Sequence, residues 1–172
     1  RGQIIITTDA DSQLQRRAIK NLILPLISDE RVGAVAGKVS VLNENKNLIT
    51  RMLSVRFALS FDFGRAYQSV YGGVLCCPGA LSAFRRKSLL KILPGWRKQK
   101  FLKASCQHGE DRSLTSLILK KGYLVKYQSN AVVNTRVPEK VSETNKMYLR
   151  WTRSAVRESW FFARFIFLRG RR

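Results

Sequence analysis

The chain has 172 residues, 45% of them hydrophobic, which is enough for one domain with a real core and excludes a disordered segment. A net charge of +21 and a pI near 10.9 narrow the partners to nucleic acid, an anionic membrane surface or an anionic small substrate. Three cysteines, two of them adjacent at Cys76 and Cys77, make no disulfide framework, and the single histidine, His108, argues against a zinc centre. A reducing, cytosol-facing setting fits, and no nucleophile-elbow glycine pattern supports a Ser-His-Asp triad through His108.

Ile4 to Thr7 reads as a buried strand that ends in Asp9-Ala10-Asp11. Paired carboxylates there place hard oxygen ligands at the mouth of an α/β sheet, where Mg²⁺ or Mn²⁺ carrying a phosphate can be held. A turn with solvated carboxylates is the plainer alternative. Leu14, Ala18, Ile19, Leu22, Ile23 and Leu26 recur at helical spacing, with Pro25 bending or ending that helix. Val32 to Ala36 is a second strand, which Lys38 to Leu42 extends or pairs, and residues 43–47 form a polar loop. Leu48, Met52, Val55, Leu59 and Phe63 mark one face of a long helix reaching about Tyr67 and broken by Gly72-Gly73.

Val74 to Cys77 and Leu81 to Phe84 read as short strands around Pro78-Gly79, and Lys87 to Leu93 as a helix closed by Pro94-Gly95. Trp96 to Gln107 is basic and irregular. Asp111 to Lys121 is a helix ended by Gly122, a good glycine for the position after a helix C-terminus. Tyr123 to Tyr127 and Ala131 to Arg136 are strands. A last helix runs from about Val141 to beyond Arg164, with Trp151, Trp160 and Phe161 among arginines. That composition suits either a membrane-surface helix or an ordinary amphipathic helix with a solvated basic face. Alternating strands and helices give an α/β layer architecture.

Gly109-Glu110-Asp111-Arg112 opens a helix. Acidic residues there complement the helix dipole, or hold a carboxylate at a cleft to accept a proton from a hydroxyl. Arg150-Trp151 can be a packed Trp beside a solvated Arg, or an Arg fork on a diphosphate with an indole face against a sugar. Cys76-Cys77-Pro78-Gly79 can be a tight turn, or a wall against which an acceptor lies.

The order Asp9-Ala10-Asp11, Cys76-Cys77-Pro78-Gly79, Gly109-Glu110-Asp111-Arg112 and Arg150-Trp151 resembles the processive family 2 glycosyltransferases. Among these it is most similar to hyaluronan synthases and to chitin and chitooligosaccharide synthases. Ser54-Val55-Arg56-Phe57, Arg65-Ala66-Tyr67-Gln68-Ser69 and Arg150-Trp151-Thr152-Arg153-Ser154 strengthen the likeness, which covers nearly the whole chain.

The resemblance implies a GT-A-like, Rossmann-related mixed sheet flanked by helices, here lacking the N-terminal nucleotide-binding half. It implies residues 1–140 as the C-terminal part of the catalytic domain, and 141–172 as an amphipathic interface helix leading toward transmembrane segments of a longer parent. Asp9 and Asp11 match the metal motif (Mg²⁺ or Mn²⁺), and Asp11 and Arg150 the diphosphate contacts. Asp111 matches the general base, and Cys77, Gly79, Glu110 and Trp151 the acceptor side. The glutamine of the Gln-x-x-Arg-Trp motif falls on Met147, a departure.

The implied activity is inverting transfer from a UDP-sugar (UDP-GlcNAc, UDP-GlcA or both) to a growing polysaccharide at the cell membrane, with the catalytic part facing the cytoplasm and membrane lipids as partners. UDP-glucose transfer of the cellulose synthase kind and an inactive membrane-associated domain are the alternatives. A nucleic-acid partner is not expected, because no RNA- or DNA-binding motif is present.

Overall fold

A computed structural model describes residues 2–97, 100–101, 104–105 and 109–169, with side chains for 2–96 and 109–163. Cys106, His108 and the aromatic end of the last helix past residue 163 lie outside the described side chains.

Five strands form one mixed sheet in the order β1 (Ile4–Thr7), β4 (Ser82–Arg85), β3 (Val32–Val41), β7 (Leu124–Thr135) and β2 (Gln13–Leu14). β4 runs antiparallel to both β1 and β3, while β3 and β7 are parallel. β1, β3 and β7 therefore point the same way, and their carboxyl ends share one edge of the sheet. A small hairpin, β5 (Lys100–Phe101) with β6 (Ala104–Ser105), occupies part of the stretch expected to be irregular.

The core lies between the sheet and its helices. β3 is buried at nearly every position, as a central strand must be. Leu22 and Leu26 of α1 (Ala18–Ser28), Leu81, Ile118, Val125 and Val133 are among its fully buried side chains. Leu14 belongs to β2, so α1 starts later than the apolar spacing suggests. Pro25 does not end it. The Asn21 carbonyl, which Pro25 cannot serve, accepts from Gln128 Nε2 at 3.3 Å. In the same way α4 (Arg86–Arg97) runs through Pro94 instead of stopping at it. Pro94 lies in the last turn, where one bond is all it removes.

Two further expectations are corrected. The two strands expected at 123–127 and 131–136 are one, β7, because a register shift after Gly37 absorbs the residues between Gln128 and Val132. Val74 to Cys77 forms no ladder beyond a single bridge of Gly73 to Val125. Its backbone groups go to side chains instead: Leu75 N–H to Gln68 Oε1, Cys77 N–H to Thr115 Oγ, and Cys76 C=O to Arg65 Nε.

The long helix is composite. α2 (Leu48–Ala58) is capped by Asn47 in a reciprocal box with Thr50. It passes into a π-helical segment, Leu59–Arg65, then α3 (Ala66–Val70), and ends at Gly72 with φ +65°. The packed face carries Leu53 and Phe61; the recurring face of Leu48, Met52, Val55, Leu59, Phe63 and Tyr67 is exposed. α5 (Glu110–Lys120) ends at Gly122, φ +85°. α6 (Val141–Arg169) packs on α5.

Candidate active site

A cleft of about 530 Å³ opens at the carboxyl ends of β1, β3 and β7. Such an edge is where α/β sheets bind ligands. Asp9, Asp11, Gly79, Glu110, Asp111, Arg150 and Trp151 all line it, together with Met147. Seven of the eight site residues expected from the sequence therefore meet in one place. The eighth, Cys77, does not: its side chain is 1% exposed within the core, and its neighbour Cys76 lines the cleft.

Each element delivers its residue for a local reason. Beyond β1 the chain turns, closed by Ser12 N–H donating to the Asp9 carbonyl at 3.2 Å, so both carboxylates sit on one turn. Gly79 enters β4 against that turn, and a Cβ at this position would come 3.3 Å from Asp9 Oδ1. Gly109 precedes α5 in the left-handed region (φ +84°) and abuts α6, where a Cβ would lie 2.5 Å from Ser154 Cβ. This close approach seats the start of α5, with Glu110 and Asp111, beside Arg150 and Trp151. Asp111 Oδ1 accepts from Arg112 N–H at 2.8 Å, and its Oδ2 from the Cys76 thiol at 3.4 Å.

The acids crowd one another. Partial desolvation in the cleft, and after it the negative charges of Asp11, Asp111 and Glu110, push the Asp9 carboxyl above its ordinary value, while Arg150 pulls it back. Excess negative charge on a pair of oxygen donors suits a hard divalent cation. The Ser12 hydroxyl, next on the turn, is buried without a hydrogen-bond partner among the described residues, leaving a further oxygen free. Among the described residues no three His, Cys, Asp or Glu side chains come together as a metal-binding group. A divalent cation on this turn would draw further ligands from outside the two carboxylates, as Mg²⁺ sites completed by substrate phosphates do.

Sequence reasoning missed the cations and rings opposite. Arg56, Arg65, Arg112 and Arg136 also line the cleft. The π-helical segment brings Ser60, Phe61 and Arg65 to it, with the Arg65 guanidinium 4.0 Å from the Phe61 ring centroid. Phe57 and Tyr148 flank Trp151 at centroid distances of 6.1 and 6.0 Å, and Arg56 lies 4.8 Å over Tyr148. Ser54-Val55-Arg56-Phe57, Arg65-Ala66-Tyr67-Gln68-Ser69 and Arg112 beside Asp111 are the sequence signals for part of this wall. Met147, in place of glutamine, packs with Val41, Leu53 and Val137 and so serves as an apolar filler.

A family model described as chitin synthase matches residues 2–162. The chain belongs to the chitin synthase family. Its relatives include a protein named N-acetylglucosaminyltransferase from Neorhizobium galegae, 32% identical over 158 residues, covering 92% of this chain and 36% of the relative. Human hyaluronan synthase 3 is 35% identical over 154 residues, covering 90% and 28%. This member of the chitin synthase family thus spans about a third of the length of the relatives it matches. Among solved structures, a mannosyltransferase from Pyrobaculum calidifontis in complex with GDP-Man and Mn²⁺ aligns with a TM-score of 0.48 at 22% identity, over 82% of this chain and 34% of that one.

Proposed function

We propose that the protein is an inverting, GT-A-type glycosyltransferase that transfers a sugar from UDP-GlcNAc, UDP-GlcA or both to a growing polysaccharide. The observation that carries this is the meeting of Asp9, Asp11, Asp111, Arg150 and Trp151 in one cleft. Asp9 and Asp11 would hold Mg²⁺ or Mn²⁺. Bound there, the cation supplies charge for the departing diphosphate.

Asp111 takes the proton from an acceptor hydroxyl as that oxygen bonds to the anomeric carbon and the bond from that carbon to the diphosphate breaks. Arg150 meets the charge that develops on the diphosphate. Trp151, backed by Phe57 and Tyr148, offers a flat face to the acceptor ring. Gly79 and Glu110 line the acceptor side. The Cys77 side chain is buried and stays out of the cleft, which Cys76 and Pro78 line on either side of it in the chain.

Residues 1–140 supply most of the catalytic part, α6 adds Arg150 and Trp151 to the cleft, and the rest of α6 would lie at the cytoplasmic face of the cell membrane. No described helix is long and apolar enough to cross a membrane. What supports a membrane surface is the exposed apolar face of α2 and its π-helical continuation, Leu48, Met52, Val55, Leu59 and Phe63, in a chain of net charge +21. Apolar contact and attraction to acidic lipids reinforce each other on such a surface. α6 exposes Leu149, Val156 and Trp160 as well.

Product analysis tests the reading. The full-length protein in membranes, given radiolabelled UDP-GlcNAc, UDP-GlcA or UDP-glucose with Mn²⁺, should form a polymer from the first, with or without the second. Label confined to hydrolysed sugar would overturn transfer to a polysaccharide, and no cleavage of any donor would leave an inactive membrane-associated domain.

A further inference from the structure

Cys76 is a buried thiol at the cleft that the reaction above does not use. It is 8% exposed, yet it lines the cleft and donates to Asp111 Oδ2 at 3.4 Å. Its surroundings hold it in place from two sides. Arg65 Nε, from the π-helical segment, donates to the Cys76 carbonyl at 3.2 Å. Thr115 Oγ accepts from the Cys77 N–H at 3.0 Å and donates to the Asp111 carbonyl at 2.6 Å. The loop and the first turn of α5 are therefore tied twice, once through the thiol and once through Thr115.

We infer that Cys76 is a positioning residue for the general base, its S–H fixing Asp111 Oδ2 so that the carboxylate faces the acceptor hydroxyl. This rests on Asp111 acting as that base. Burial, first, and the nearby Asp111 charge push the thiol up to about 11, so it remains a donor at any physiological pH. Arg112 N–H fixes Oδ1 at 2.8 Å, and Cys76 completes the pair. A carboxylate held at both oxygens is restrained from swinging about its Cα–Cβ bond.

The choice of sulfur is explicable. A thiol is a weak donor, so it sets the orientation without competing strongly for the lone pair that receives the proton. An apolar side chain of the same size would fill the space and leave Oδ2 unheld. The adjacent Cys77 cannot substitute, because it faces the core.

The test uses the full-length protein with UDP-GlcNAc as donor, comparing Cys76→Ala, Cys76→Ser and Asp111→Asn. Cys76→Ala should lower kcat roughly tenfold with the donor KM unchanged, as expected when a reacting group loses its alignment. Cys76→Ser, which restores a donor, should recover most of that loss. Adding Cys76→Ala to Asp111→Asn should cost nothing further. Wild-type kcat in Cys76→Ala, or an equal loss in the serine and alanine variants, would overturn the assignment.

The infrared S–H stretch gives a readout that needs no turnover and no alanine variant. The Cys76 band, identified by its absence in Cys76→Ser, should move to higher frequency in Asp111→Ala as its acceptor is removed. An unmoved band means the hydrogen bond does not exist, which also overturns the proposal. Wild-type transfer by Asp111→Asn would instead remove the base reading, and a shifting S–H band would distinguish that failure from a missing contact.

Discussion

Gly79 and Asp9 are in close apposition: a methyl group on residue 79 would stand 3.3 Å from Asp9 Oδ1. The glycine is exposed and needs no special backbone angle, so this contact is the physical reason a side chain is unwelcome there. Gly79→Ala should therefore leave stability within about 0.5 kcal/mol, as for a surface change, because the displaced carboxylate is itself exposed. Its metal affinity should fall roughly tenfold, the scale seen when a group that orients a ligand is altered. Metal titration of donor binding in the two proteins measures this, and identical titrations would show that Asp9 does not depend on the contact.

Gly109 makes a harder demand. With φ at +84° and Ser154 Cβ 2.5 Å from any added Cβ, Gly109→Ala is strained in its backbone and in its packing on α6. It should destabilise the fold by about 2 kcal/mol or more. Since Asp111 is two residues on, transfer should fall even at temperatures where the protein stays folded. Urea unfolding alongside turnover checks both parts.

Trp151 packs on the rings of Phe57 and Tyr148 and lines the cleft, so on the proposed function truncation removes acceptor surface and packing together. Trp151→Ala should raise the acceptor KM roughly tenfold, in keeping with ~1–1.5 kcal/mol for an aromatic contact, while Trp151→Phe should keep most of the affinity. Equal behaviour of the two variants would detach the ring from acceptor binding.

Much of this site was legible in the chain. An apolar run stopped by Asp9 and Asp11 is a strand reaching a sheet edge, and Gly109 before Glu110-Asp111, with Gly122 after, frames α5 from both ends. What could not be read was non-local. Pro25 is tolerated because Gln128, about a hundred positions away, serves the Asn21 carbonyl. Nothing periodic distinguishes the π-helical turn that carries Arg65 inward. Adjacent cysteines look alike in sequence, yet Cys76 borders the cleft and Cys77 the core. The apolar face of α2 has helical spacing whether it meets the core or not, and here it is exposed.

Glu158 gives a pH dependence. It is 4% exposed, and burial pushes its carboxyl above the ordinary 4.5, opposed by Arg157, which donates to Oε1 at 3.0 Å. With the folded value raised, the native state binds more protons than the unfolded chain as pH climbs from 4.5 to that value. Stability therefore falls across this window. Glu158→Gln mimics the neutral form, so the wild type should lose melting temperature relative to the variant on going from acid to neutral pH. A difference that stays constant with pH would mean Glu158 titrates alike in both states.

The central claim is that binding and proton transfer reside on different acids of one cleft. Calorimetry of UDP-GlcNAc with Mn²⁺, paired with turnover, separates them in Asp111→Asn and Asp11→Ala. Asp111→Asn should bind the donor as the wild type does and lose ~10²–10⁴-fold in transfer, the usual range for a general base. Asp11→Ala should bind it weakly and without metal dependence. Full turnover in Asp111→Asn, or unaltered metal-dependent binding in Asp11→Ala, would contradict the account.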